Sequence, residues 1–328
     1  PPPGLALAKA LGLTLKVERA GRGVWLSVDP ASISPALQAA PSLAQDEEGK
    51  MSLYYGDVKR RPAPTQEARA VNIGEETFLN DGPYAYLGRA MTSGDYNGDG
   101  REDLVLGAHG LGTPRLPQQG AVYIQWGAGG SSSSQTLSGV EGGEQPASIE
   151  ARFGQDTYGR FGFALTTADL NADGFEDLIV GAPTPGGENM GYEGAVHIFL
   201  GGPRGIGSEP DIVIEGEGTY AGFGQVLSSG DVNGDGIVDL IAGSPFARAG
   251  GRQVGEAFVF LSQPSFTSGL ILSQSDADWR AQGQSSWAWF GASFAIAPQS
   301  GGASMLLVGS PGASVDGAQT PGRLDAFA

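Results

Sequence analysis

The 328-residue chain carries 36 Asp and Glu against 19 Lys and Arg, a net charge of −17 that opposes general attraction to nucleic acid or anionic lipid and favours a cationic partner. It has no Cys and only two His, His109 and His197, which excludes disulfide scaffolds, thiol nucleophiles, thiolate metal sites and a His-rich zinc centre. With 55 Gly and 21 Pro, 40% apolar residues and 17% charged, it is a globular chain of short strands and turns rather than long helices.

In chain order, GLALAKALGL at 4–13 has the apolar character of a signal h-region. It contains Lys9 and follows three prolines, so it reads as a mature or trimmed N-terminus. No apolar run reaches the ~18 residues needed to span a bilayer. GKMSLYYG from Gly49 alternates apolar and polar residues as a strand does. The polar, Pro-containing stretch 57–70 marks a boundary between an N-terminal β segment, 1–66, expected to be a partial blade or linker, and the rest of the chain, 67–328. A short strand, VNI, is expected at 71–73.

From there the sequence repeats itself. The heads YLGRAMTSGDYNGDGREDLVLGAHG (86–110), RFGFALTTADLNADGFEDLIVGAPT (160–184) and GFGQVLSSGDVNGDGIVDLIAGSPF (222–246) align without a gap. A fourth, WFGASFAIAPQSGGASMLLVGSPGA (289–313), keeps both ends and loses the acidic middle. Each head is followed by a tail with strand alternation: GAVYIQWG from Gly120, GAVHIFLG from Gly194, GEAFVFLS from Gly255 and GRLDAFA from Gly322. Further strand candidates, TLS at 136–138 and DIVIEG at 211–216, lie between tail and next head, beside Gly/Ser/Pro-rich linkers.

Each repeat thus supplies four strands: head strand, buried strand after the acidic loop, tail strand and outer strand. This predicts an all-β fold, a β-propeller of four-stranded blades, with four recognisable blades and a partial N-terminal one. A solenoid of β-hairpins is the competing architecture. The Gly of each head is expected where neighbouring backbones approach closely.

The acidic loops follow D-x-N-x-D-G-x-x-D. They place Asp95, Asn97, Asp99 and Asp103, then Asp169, Asn171, Asp173 and Asp177, then Asp231, Asn233, Asp235 and Asp239 at positions 1, 3, 5 and 9. Ca²⁺ takes six to eight oxygens at about 2.3–2.6 Å, alternate residues of a tight loop turn their oxygens inward, and Gly at position 6 permits the bend. Position 7, which is Arg101, Phe175 or Ile237, would supply a backbone carbonyl, and position 9 would close the shell. An Asp/Asn/Gly turn that binds no metal is the competing reading. Three copies in one register, whose carboxylates would repel one another if unfilled, favour three Ca²⁺ sites over Mg²⁺, which keeps more water. The fourth head has Pro298, Ser300, Gly302 and Leu306 at these positions and should fold without metal.

Heads of this form resemble FG-GAP repeats, found in the propellers of integrin α subunits. A closer resemblance is to the propeller region of the glycosylphosphatidylinositol-specific phospholipase D family. It is carried by PYAYLGRAMTSGDYNGDGREDLVLGA (83–108), GDVNGDGIVDLIAGSPFARAGG (230–251) and DADWRAQGQSSWAWFGASF (276–294). The resemblance implies a seven-bladed ring and an N-terminal zinc-dependent catalytic domain. Four heads fall short of seven, and His109 and His197 cannot supply that zinc centre, so the chain is expected to be part of a longer polypeptide or assembly.

Other chemistries find little support. There is no G-x-S-x-G elbow, P-loop or G-x-G-x-x-G after a strand. Glu141 and Glu144 read as a solvated loop rather than a glycosidase pair. Trp279, Trp287 and Trp289 could form a sugar or peptide platform but are expected to pack between blades. The sequence therefore predicts a non-catalytic, calcium-binding, extracellular recognition or scaffolding module. Its partner would be a protein or glycoconjugate, and the segment would contain no transmembrane span. The alternatives are the accessory propeller of a glycosylphosphatidylinositol-specific phospholipase D and an integrin-like adhesion propeller.

Overall fold

The computed structural model describes side chains at 84–113, 115–127, 149–184, 193–297, 304–314 and 322–327. It describes backbone alone at Pro298 and in strands at 15–20, 23–28, 42–45, 51–54, 77–80 and 134–137. The 4–13 segment, the 57–70 boundary and the strand expected at 71–73 lie outside the described residues. The chain divides into two compact units, Pro1–Ile73 and Gly74–Ala328. In the first, Leu15–Ala20 pairs antiparallel with Gly23–Val28, and Ser42–Gln45 with Met51–Tyr54, the strand expected from GKMSLYYG.

The second unit is a series of antiparallel sheets, one per head. The first blade runs Met91–Gly94, Asp103–Gly107, Ala121–Gln125, Ile149–Phe153, each strand pairing with the next. In the second, Ala164–Ala168, Asp177–Ala182, Ala195–Phe199 and Ile212–Glu215 pair in the same order. The third consists of Val226–Gly230, Asp239–Ser244, Glu256–Phe260 and Trp279–Gln282. The fourth shows three strands among the described residues, Ser293–Pro298, Ser304–Ser310 and Arg323–Phe327. A three-residue 3-10 turn at Gln274–Asp276 is the one helical element among the described residues. The fold is all-β, and the sheets built on the four heads are β-propeller blades.

One outer strand departs from its expected position, and another was not singled out in the sequence. Thr136 and Leu137 of TLS fall within Ser134–Leu137, which pairs parallel with Thr77–Asn80, while the first blade's outer strand is Ile149–Phe153. Likewise Leu270–Ser273 pairs parallel with Ile212–Glu215 at the edge of the second blade, and the third blade is completed by Trp279–Gln282. These long crossovers carry β-forming residues. Their backbone groups are satisfied on a neighbouring strand before the chain returns to its own sheet.

Burial follows position in the blade. The second strands DLIVGA and DLIAGS are buried at every residue, because both sheet faces are covered by neighbouring blades. That is why they read as continuous apolar runs rather than alternating ones. The outer strand IEARF is mostly half-buried. Between the first and second blades, Val105, Val122 and Ile124 pack with Leu178, Val180 and Phe199. Between the second and third, Ile179, Ile198 and Ile214 meet Leu240, Ala242 and Phe258. Ile241 and Val259 meet Leu306 and Val308 at the next junction. Each Val, Leu, Ile or Phe among these contributes about 1.5–3 kcal/mol on burial. First strands of consecutive blades also touch, through Thr92–Thr167 and Thr166–Ser229 hydroxyl contacts of 3.0 Å each.

The recurring glycines mark where backbones meet. A Cβ at Gly107, Gly181 or Gly243 would lie 2.3, 2.1 or 2.3 Å from the carbonyl oxygen of Gly162, Gly224 or Gly291 in the next blade. The Gly near the end of each buried strand therefore abuts the Gly of the next head, and the neighbouring Phe161, Phe223 and Phe290 are buried.

Both histidines serve this packing. His109 stacks on Tyr86 at 5.2 Å and meets Phe163 edge-on at 5.0 Å, while His197 meets Phe161 edge-on at 5.4 Å. Nδ1 of each is buried without a hydrogen-bond partner. Burial holds both imidazoles down at about 4, with Arg89 and Arg160 adding to the effect at His109.

Replacing Gly181 by Ala should lower stability by about 2 kcal/mol in urea unfolding, since neither backbone can yield. Gly202→Ala, where a Cβ meets nothing within 4 Å, should change it by less than about 0.5 kcal/mol. The imidazole proton resonances should titrate near pH 4 instead of the ordinary value near 6.5. The unfolded chain binds these protons first, so the histidine contribution to stability is complete above pH ~6.5 and is lost as pH falls toward 4. His109→Phe with His197→Phe should remove that component of acid sensitivity in unfolding measured against pH.

Candidate metal centres

The three acidic loops join the first and second strands of the first three blades, and their wiring recurs. In the first, Asp95 accepts from the backbone N–H of Asp99 on Oδ1 (3.1 Å) and of Gly100 on Oδ2 (2.8 Å). Asn97 Oδ1 also accepts from Asp99 N (2.9 Å), and Asp99 Oδ1 from Arg101 N (3.0 Å). In the second loop, Asp169 accepts from Asp173 and Gly174, Asn171 from Asp173, and Asp173 from Phe175. In the third, Asp231 accepts from Gly234 and Gly236, Asn233 from Asp235, and Asp235 from Ile237. The side chains at positions 1, 3 and 5 are thereby folded over the loop, and position 7 joins the wiring through its backbone N–H, which donates to the position-5 carboxylate.

Gly at position 6 has φ of 80° in Gly100 and 89° in Gly174 and Gly236. Position 4 is also left-handed, in Gly98, Ala172 and Gly234. The sequence reading did not single out that position, although two Gly there were a signal.

Position 9 also anchors the loop to the sheet. Asp103, Asp177 and Asp239 are fully buried at the start of the second strand. Each carboxylate clamps two backbone N–H groups. Asp103 takes those of Tyr96 (3.2 Å) and Gly127 (2.7 Å). Asp177 takes those of Leu170 (2.8 Å) and Gly201 (2.9 Å), and Asp239 those of Val232 and Ser262 (2.9 Å each). The clamp ties the loop's second residue to the end of the tail strand. Leu306 in the fourth blade has no carboxylate for it.

Burial pushes all three carboxyls up, to about 7 for Asp177, against the lowering effect of those two backbone hydrogen bonds, and carboxylates at positions 1 and 5 push in the same direction as burial. The described ion pairs, Arg152–Glu150, Arg280–Glu256 and Arg323–Asp325, reach none of them. Arg101 directs its guanidinium to the Gly127 carbonyl.

Among the described residues, no group of three or more acidic or imidazole side chains converges on one point where a metal ion would sit. The donor set nevertheless fits a hard cation. Every loop offers carboxylate, amide and backbone oxygens, each oxygen retains a second lone pair, and the buried carboxylate has no counter-charge among the described residues.

The opposite ends of the first strands carry a feature the repeats did not announce. The turns leading into each head hold bulky residues at positive φ: Tyr84 and Tyr86, Tyr158 and Arg160, Tyr220, Trp287 and Trp289. Such backbone costs of order 1–3 kcal/mol per residue. Tyr84 is 81% exposed, Trp287 60% and Tyr220 56%. The expectation that the tryptophans pack between blades holds for Trp279, whose ring meets Phe327 at 4.8 Å, and fails for Trp287. The signal was the aromatic residue four places before each head Gly: Tyr84, Tyr158, Tyr220 and Trp287. Glu141 and Glu144 lie outside the described residues, and no helix among the described residues is long and apolar enough to cross a membrane.

Comparison with known proteins matches residues 87–124, 161–199 and 223–260 to the FG-GAP repeat. Phosphatidylinositol-glycan-specific phospholipase D of Homo sapiens is 40% identical over 230 residues, which is 70% of this chain and 27% of that protein. The Bos taurus protein of the same name is 34% identical over 313 residues, 93% of this chain and 34% of its own length. Integrin alpha pat-2 of Caenorhabditis briggsae is 32% identical over 240 residues, 68% of this chain and 17% of that protein. The chain thus spans about a third or less of the length of these relatives. The fourth head, which lacks the acidic loop, lies outside the matched residues. The three loop-bearing heads of this chain are FG-GAP repeats.

Proposed function

We propose that this chain is a calcium-binding, extracellular β-propeller module that recognises a protein or glycoconjugate and performs no catalysis itself. The observation that carries the reading is the recurrence of closely similar loop wiring in three blades, beside a buried carboxylate that has no counter-charge among the described residues. Asp95, Asn97 and Asp99, with the Arg101 carbonyl and Asp103, would hold one Ca²⁺. Asp169, Asn171, Asp173, the Phe175 carbonyl and Asp177 would hold a second, and Asp231, Asn233, Asp235, the Ile237 carbonyl and Asp239 a third. The ion supplies charge compensation and stiffens the hairpin end; the chain's own residues set the loop's curl and attach it to the tail strand.

Recognition is assigned to the other end of the blades. Exposed aromatic rings on backbone of restricted freedom offer stacking area at small conformational cost. An extracellular location fits the phospholipase D and integrin relatives. The similarity to phosphatidylinositol-glycan-specific phospholipase D over most of the chain supports a second reading, in which the module is the accessory propeller of such a hydrolase. An integrin-like adhesion propeller is the third. A His/Asp-rich domain in the same polypeptide would favour the hydrolase, and a transmembrane helix would favour adhesion. Release of a lipid-anchored protein by the purified chain would overturn the non-catalytic assignment.

Calorimetric titration should give three Ca²⁺ per chain, and Asp99→Ala, Asp173→Ala and Asp235→Ala should each remove one. At 100 times Kd each ion adds about 2.7 kcal/mol, so excess chelator should lower the melting temperature. An unchanged melting curve would sink the calcium reading.

A further inference from the structure

The second acidic loop does not end at its own ligands. Phe175 and Glu176, at its positions 7 and 8, reach across to the first loop. Glu176 Oε2 accepts the backbone N–H of Asp95 at 3.0 Å, and the Glu176 N–H points back to the Asp95 carbonyl at 3.4 Å. A Cβ at Gly94 would lie 2.4 Å from the same carboxylate oxygen, and one at Gly98 would lie 2.4 Å from the Phe175 ring, so both glycines make room for the contact. Glu176 also feels acids of both loops, Glu102 and Asp95 on one side and Asp169 on the other.

The next junction lacks this bridge. A backbone link recurs there, Gln263 N to Leu170 O at 3.0 Å, matching Gly202 N to Tyr96 O at 3.0 Å. The third loop, however, has Ile237 and Val238 at positions 7 and 8, with no side-chain acceptor to offer.

Resting on the calcium reading above, we propose that Glu176 is a positioning residue that couples the 95–103 and 169–177 loops, so that these two sites fill cooperatively while the 231–239 site fills independently. An ion in the second loop fixes residues 173–177 and so fixes the Glu176 carboxylate. The carboxylate then holds the Asp95 backbone where its side chain must turn inward. Linkage requires the reverse effect to be of equal size.

The test is calcium titration of the intact chain by calorimetry, with the third loop silenced by Asp231→Ala and Asp235→Ala. Two ions should bind with a Hill coefficient clearly above 1. Asp169→Ala should weaken the first site about 5- to 10-fold, and Asp95→Ala should weaken the second by the same factor. In the otherwise native chain, silencing the third loop should shift neither. Glu176→Ala should still bind two ions, now independently. Glu176→Gln keeps an acceptor oxygen and should retain most of the coupling, which separates positioning from a simple charge effect and gives a second variant should Glu176→Ala fold poorly. Independent sites in the parent, an unchanged Hill coefficient in Glu176→Ala, or full loss in Glu176→Gln would overturn the coupling while leaving three calcium sites intact. No binding at any loop would overturn the calcium reading, and this inference with it.

Discussion

The fold depends on a contact too close for any side chain. At three successive junctions a backbone carbonyl occupies the space a Cβ would need, at Gly107, Gly181 and Gly243. That approach brings the first strands together and allows the buried strands beside them to be covered on both faces. Hydrophobic burial supplies most of the energy of each interface, but it is non-directional. The glycine joint supplies the register, because a blade displaced along its neighbour would meet backbone where it now meets a gap.

On this frame the acidic loops are attachments rather than foundations. The fourth blade forms the same first hairpin, Ser293–Pro298 with Ser304–Ser310, without any acidic loop residue. What connects loop to frame in the other blades is the buried aspartate at position 9, which binds the loop's second backbone N–H and one at the end of the tail strand. The same side chain belongs to the sheet by location and to the loop by chemistry. A carboxylate placed there is a poor stability device alone, since burial disfavours its ionised form. Its cost is understandable where a cation can sit beside it.

Much of this was legible in the sequence, for identifiable reasons. Repetition in register revealed the heads and tails, and glycines at fixed offsets revealed the close approaches, because both are local in the chain. The outer strands Ile149–Phe153 and Trp279–Gln282 were missed. Crossover segments of equal β character stand nearer in sequence, and only tertiary pairing tells them apart. The regular spacing of the acidic loops was legible, whereas the inward turn of Asp103, Asp177 and Asp239 was not, because their second partner lies 23 or 24 residues downstream. Glu176 likewise looked like one more loop acid until its neighbour across the blade junction was in place.

The parallel crossovers have a consequence for how such a chain can be divided. Leu270–Ser273 is encoded in the third repeat and lies along the margin of the second blade. A cut made at the repeat boundaries would strip the second blade of that cover and expose a row of free peptide groups, the kind of surface that recruits foreign strands. The module is therefore laced together in a way its repeat spacing does not suggest. Excision, shuffling or duplication of a single repeat would put that crossover and the strand it covers in different pieces.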